Sequence, residues 1–147
     1  MKQETETRQI HTIAPVYDGT SRILILGSFP SVKSRETGFF YGHPRNRFWK
    51  VLAGITGSAV PESVEENRLF LLEHGIAVWD VIAACTIHGS SDASIRDVVP
   101  NDLTPILETA DIRGIFTNGS TSHRLYQKYQ EPVTGRKAVR LPSTSPA

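Results

Sequence analysis

The stretch that decides the fold is ILILGSFPSVKSRETGFFYGHPRNRFW, residues 23–49. Ile23-Leu24-Ile25-Leu26 is a short, continuous apolar run without alternation, the pattern of a strand covered on both faces in a parallel sheet. Gly27-Ser28-Phe29-Pro30-Ser31 breaks that strand at its C-terminal end, the edge where open α/β sheets hold their ligands. A second breaker cluster, Gly42-His43-Pro44, precedes Arg45-Asn46-Arg47-Phe48-Trp49. That mixture of basic, polar and aromatic groups suits a pocket rim better than a core.

Working outward, three more strands carry the same kind of ending. Ile76 to Asp80 stops in a carboxylate, Ile112 to Thr117 in Asn118-Gly119, and Arg136 to Leu141 in Pro142-Ser143-Thr144-Ser145-Pro146. Between them the pattern predicts helices over Arg45–Gly54, Pro61–His74, a short piece capped by Asn101 or Asp102 and running through Glu108, and Ser120–Tyr129. Strands alternating with helices predict an α/β fold, a three-layer α/β/α sandwich around a four-stranded, mostly parallel sheet. Four polar signatures then share one sheet edge. The segment from Cys85 to Pro100 reads as a long irregular functional loop, and residues 1–12 as a flexible arm.

Composition narrows the function classes. A chain of 147 residues reads as one domain, with net charge +1 and pI near 7.9. No broad cationic surface advertises nucleic acid, so such a partner must be met by local charge (Lys33, Arg35, Arg45, Arg47, Lys50) and by uncharged donors. The single cysteine, Cys85, excludes an internal disulfide, a cysteine-ligated iron–sulfur cluster and a cysteine-based zinc site. No His-Glu-His or His-Cys spacing supports another metal site. The polar N-terminus and the lack of any run of membrane-spanning length predict a cytoplasmic protein.

At its four signatures the chain resembles the uracil-DNA glycosylase superfamily, closest to its DNA-deoxyinosine (hypoxanthine-DNA) glycosylase branch. The carrying residues are LGSFPS (26–31), FYGHPRNRFW (40–49), WDVI (79–82), NGS (118–120) and LPSTSPA (141–147). The likeness spans residues 14–147, and GHPRNRFW, its most specific part, is shared with mismatch-specific uracil and thymine glycosylases. Two residues depart from the superfamily's usual pattern. Phe29 stands where a water-activating Asp or Asn is usual, and Leu141 where the last motif often begins with His. Both fit the deoxyinosine branch. Family members usually continue past the SPA with a further helix, so the resemblance also implies that a C-terminal helix is missing after Ala147.

What the resemblance implies is a DNA glycosylase of base excision repair, working as a monomer without metal or organic cofactor. It would be monofunctional, since no lysine stands within the signatures, although Lys33 and Lys50 flank them. Cleaving an N-glycosidic bond develops positive charge on the sugar and negative charge on the departing base. The reaction needs a pocket for an extruded base, donors to that base and a positioned water.

Asn46 is the candidate for holding the water; read from its neighbours alone it is equally a helix cap. Asp80 is the candidate base reader. Its carboxylate accepts from the N1–H of hypoxanthine and repels adenine's bare N1, although the N3–H of uracil satisfies it too. Phe40 or Tyr41 would stack on the base, and Phe29 would shape the wall. Asn118, with the amides of Gly119 and Ser120, opens a helix and suits a phosphate or the base edge. Ser28, Ser31, His43, Ser120, Ser143, Thr144 and Ser145 are the expected phosphate contacts. Two alternatives stay open: a uracil or thymine mismatch glycosylase, and a non-catalytic nucleotide- or phosphate-binding α/β module.

Overall fold

The computed structural model describes residues 7–146. Four strands, β2 (Ile23–Gly27), β3 (Ile76–Asp80), β6 (Gly114–Asn118) and β7 (Val139–Leu141), form one sheet in the order β3-β2-β6-β7. Every pairing in it is parallel, with Gly27 in register with Asp80 and Asn118 with Leu141. All four strands therefore end on the same edge. β2 is central, which is why its apolar run is continuous: Leu24 and Leu26 point into one core and Ile25 into the other.

Those two cores make the outer layers. On one side, α2 (Phe48–Thr56) and α3 (Val64–Glu73) press Phe48, Trp49, Leu52, Phe70 and Leu71 against Ile25, Ile76 and Val78. On the other, α4 (Thr104–Thr109) and α5 (Ser120–Tyr129) bring Ile106, Leu125 and Tyr126 onto Leu24, Leu26, Ala77 and Ile115. Burying each such side chain contributes roughly 1.5–3 kcal/mol, so the sheet edge is a rigid platform. Helix ends follow local chemistry. Ser63 accepts from the Glu66 N–H to start α3, and Gly57, at φ 70°, closes α2 in the left-handed region open to glycine. Asp102 accepts from the Thr104 N–H at the start of α4.

Two expectations fail. The segment Cys85–Pro100 is not one irregular loop. β4 (Ile82–Ile87) begins one residue after β3 and pairs antiparallel with β5 (Arg96–Pro100), leaving only residues 88–95 as a loop with a 3-10 turn at Asp92–Ser94. Ile82, Cys85 and Ile87 are its buried positions. Nor are residues 7–12 a flexible arm. β1 (Thr7–Ile10) pairs antiparallel with β4, Thr7 opposite Ile87 and Ile10 opposite Ala84. β1 is largely exposed, so its polar sequence is that of a sheet edge, and its partner lies some eighty positions away in the chain, beyond the reach of local pattern. Residues 1–6 of the expected arm lie outside the described residues.

Candidate functional site

The four strand ends and the turns after them surround a cavity of about 400 Å³, within the range of small-molecule sites. Its floor is built at the β2–β3 step. Gly27 and Asp80 are register partners, and a methyl group on Gly27 would lie 2.4 Å from Asp80 Oδ1 and 3.2 Å from the Tyr41 hydroxyl. Only glycine lets that carboxylate reach the cavity.

Asp80 is held from several sides. Its backbone carbonyl accepts from Asn101 Nδ2 at 2.9 Å, and the same amide donates to the Ile82 carbonyl at 3.0 Å. Gln130 Nε2 donates to the Val81 carbonyl at 3.0 Å, and the Val81 N–H donates to the Gly27 carbonyl. The side chain meets His11, whose Nε2 lies 2.8 Å from Oδ2, the two side chains being 1% and 5% exposed. His11 Nδ1 accepts from the Ile13 N–H at 3.2 Å. With Nδ1 accepting there, Nε2 is the nitrogen that donates to the carboxylate, which leaves Oδ1 as the available oxygen. Phe29, Phe40 and Trp79 surround the imidazole at ring-centroid distances of 5.9, 6.1 and 6.1 Å.

The aromatic expectations divide. Phe29, buried, lines the wall, with the Arg35 guanidinium 5.4 Å from its ring centre. Phe40 also lines the cavity and is packed edge-on against Phe39. Tyr41 stacks on Phe48 at 3.9 Å and 18° between planes, so one ring face is already covered. Its backbone sits at φ 53°, rare for a non-glycine residue, and its hydroxyl is buried without a hydrogen-bond partner. Burial and then the Asp80 charge push the phenol well above its ordinary range, with the Asn118 amide opposing them.

Asn46 lines the cavity and also caps: its Oδ1 accepts from the Phe48 N–H at 3.0 Å. The helix-end reading of that residue is thus realised at the rim of the cavity, because the turn that starts α2 lines it. Asn118 is tied both ways to Thr144, donating to Oγ1 at 3.0 Å and accepting from its N–H at 3.1 Å. Arg47 straps the same segment, its guanidinium donating to the carbonyls of Ser143 and Ser145 and its N–H to that of Thr144. Gly119, at φ 98°, lets Ser143 pass: a Cβ there would stand 3.2 Å from the serine's own.

Of the expected phosphate contacts, Ser28, Ser31, His43, Ser143, Thr144 and Ser145 all line the cavity. Ser120 does not; as the first residue of α5 it is exposed outside it. Several of these hydroxyls also hold local structure, Ser31 capping α1 (Val32–Thr37) through the Ser34 N–H and Ser143 accepting from the Ser145 N–H.

Two residues at or behind the cavity escaped the sequence. His11 lies in a stretch whose composition carries no signal, and its role exists only through β1 pairing. Asp92 lies in the segment expected to be functional, and no motif marks it. The cavity reaches Asp92, whose Oδ1 accepts from Ser28 Oγ at 3.2 Å. Although Asp92 is exposed as a residue, the protein crowding its carboxyl raises its pKa above the ordinary carboxylate value. The Ser28 bond opposes that shift, the Asp80 charge adds to it, and Arg124 opposes it more weakly. The loop that carries Asp92 is pinned to α1 by Val32 N–H to Ser90 Oγ and by Arg35 to the Gly89 carbonyl.

The chain that builds this pocket of a fixed carboxylate, carboxamides, aromatic walls and serine-rich rims matches, over residues 14–147, the family model described as the uracil DNA glycosylase superfamily. The chain belongs to that superfamily. Membership places it among the DNA N-glycosylases, enzymes of repair that remove deaminated bases from DNA. It is 36% identical over 110 residues to a hypoxanthine DNA glycosylase of Methanosarcina barkeri, covering 74% of this chain and 70% of that one. A hypoxanthine DNA glycosylase of Methanosarcina acetivorans is 37% identical over 106 residues, 71% and 67% of the two chains. The fold matches the solution NMR structure of a candidate uracil DNA glycosylase from Methanosarcina acetivorans with a TM-score of 0.80 and 30% identity, over 95% of this chain and 86% of that one. None of the helices among the described residues is long and apolar enough to cross a membrane.

Proposed function

We propose that this glycosylase removes hypoxanthine from deoxyinosine-bearing DNA by hydrolysis, with Asp80 as the reader of the base. The observation that carries the reading is the fixed carboxylate. His11 occupies Oδ2, and Oδ1 stands beside Gly27 as an acceptor for the N1–H of hypoxanthine. Adenine brings an acceptor to the same point and would leave two buried acceptors facing each other, a mismatch worth several kcal/mol of discrimination. The names of the Methanosarcina relatives support the same base.

Phe29 and Phe40 line the slot around the flipped purine, and extruding the base from its stack costs a few kcal/mol that those contacts offset. Tyr41 acts through its hydroxyl, since its ring already stacks on Phe48. Asn46 holds a water at the rim through the lone pair of Oδ1 that the Phe48 N–H leaves unused. Asn118 aligns the last loop by way of Thr144, and Ser28, Ser31, His43, Ser143, Thr144 and Ser145 lie where the DNA backbone must cross the rim. The enzyme works as a monomer, beside the DNA it repairs.

The test is base release from duplexes carrying a single hypoxanthine or a single uracil, followed by alkali to cut abasic sites. Cleavage at hypoxanthine alone is expected. Cleavage at uracil alone would assign Asp80 to the N3–H of that base instead, and cleavage at neither would favour a binding module. Asp80→Ala should lower excision far more than non-specific DNA binding, and equal losses would make Asp80 structural. Intact excision by Asn46→Ala would remove the water-holding role.

A further inference from the structure

We propose that Asp92 is the catalytic base of this site, taking a proton from the attacking water and facing the cationic sugar. The inference rests on the base-excision reading above and adds to it a group with no motif of its own. A carboxamide such as Asn46 can hold a water but cannot take its proton. Among the cavity-lining residues the carboxylates are Asp80 and Asp92. Asp80 is 4% exposed at the floor, with one oxygen held by His11. A base entering the cavity meets that floor with its far edge, so the glycosidic bond and sugar remain toward the rim. Asp92 is the carboxylate at the rim, and it is exposed.

Its position is built, not incidental. Ser28, the residue that follows the end of β2, donates to Oδ1 at 3.2 Å and leaves Oδ2 available. The loop carrying Asp92 is held to α1 at Ser90 and Gly89. The electrostatic surroundings agree. Crowding by protein raises the Asp92 pKa, the Asp80 charge adds to that, and Ser28 and Arg124 oppose it. A more basic carboxylate is a better proton acceptor at neutral pH, and its negative charge stabilises the positive charge that develops on the sugar.

The step balances as follows. The water oxygen forms a bond to C1′ of the deoxyribose, and the C1′–N9 bond breaks with its electron pair going to hypoxanthine. The water's proton passes to the Asp92 carboxylate and from there to solvent, while the departing base anion takes a proton from solvent. The products are an abasic site and neutral hypoxanthine.

The experiment measures single-turnover excision by the parent, Asp92→Asn and Asp92→Glu, on the hypoxanthine and uracil duplexes in parallel, with DNA affinity measured on a duplex carrying the uncleavable 2′-fluoro analogue of deoxyinosine. Asp92→Asn keeps the size of the side chain and its acceptor for Ser28. It should lose excision by about 100-fold or more, the usual span of proton-transfer catalysis, with affinity within about threefold of the parent. The parent's rate should rise with pH along a limb set above the ordinary carboxylate range, and Asp92→Asn should lack that limb. Asp92→Glu should recover part of the rate. Excision by Asp92→Asn within about threefold of the parent, on whichever duplex the parent cleaves, overturns the role of Asp92. So does an unchanged pH limb. A parent that cleaves uracil and not hypoxanthine overturns the substrate reading instead, with the Asp92 comparison then read on uracil, and a parent that cleaves neither overturns both.

Discussion

Replacing His11 with alanine isolates the contact that fixes the floor of the site. The perturbation removes a donor 2.8 Å from Asp80 Oδ2 in surroundings where the two side chains are 1% and 5% exposed. A hydrogen bond to a charged group contributes about 1.5–3 kcal/mol, and the buried carboxylate left behind loses that compensation. The imidazole also fills the space between Phe29, Phe40 and Trp79, so truncation leaves a void as well. Together these costs come to about 3 kcal/mol. For a chain of this size each kcal/mol lowers Tm by roughly 2–4 °C, so a fall of about 6–12 °C is expected. The assay is urea unfolding of the parent, His11→Ala, Asp80→Asn and the double variant. A coupling energy of about 2 kcal/mol is expected between the two positions. Additivity within about 0.5 kcal/mol, as for unconnected sites, would refute the assignment of His11 as the partner that orients Asp80. Hypoxanthine excision by His11→Ala should fall with the orientation of Oδ1, while its affinity for undamaged DNA should hold.

Three further outcomes follow from particular contacts. Gly27→Ala sets a methyl group 2.4 Å from Asp80 Oδ1, so the carboxylate must move; stability should drop by about 1–3 kcal/mol and excision by more than tenfold, checked by urea unfolding and single-turnover rates. Ser63→Ala removes the cap of α3, remote from the cavity, and should cost about 1 kcal/mol in the same unfolding assay with excision unchanged. Cys85 is fully buried and its thiol is pushed up in pKa chiefly by that burial, so Ellman's reagent at pH 8 should leave the native protein unmodified and titrate one thiol in denaturant. Rapid reaction of the native thiol would show that the β1-β4-β5 sheet opens readily.

The sequence by itself determined the parallel sheet and the edge that bears the site. Ile23–Leu26 could be read as a central strand because burial on both faces demands an unbroken apolar run, and Asp80, Asn118 and the Ser143–Ser145 loop could be read as strand endings because polar breakers follow such runs. Asn46, Asp80 and Asn118 do meet at one cavity. These are local consequences of burial and turn chemistry, written within a few residues of each other.

Only the tertiary structure decided what depends on distant pairing. β1 has no apolar face to announce it, and it becomes a strand because β4 offers it an open edge. That pairing carries His11 to Asp80, and the β4–β5 hairpin carries Asp92 to Ser28. Tyr41, expected to stack on the base, has one face of its ring covered by Phe48. For His11 and Asp92 the deciding partner lies outside the local window, and the energy comes from one geometric contact whose existence no pattern of hydrophobicity records.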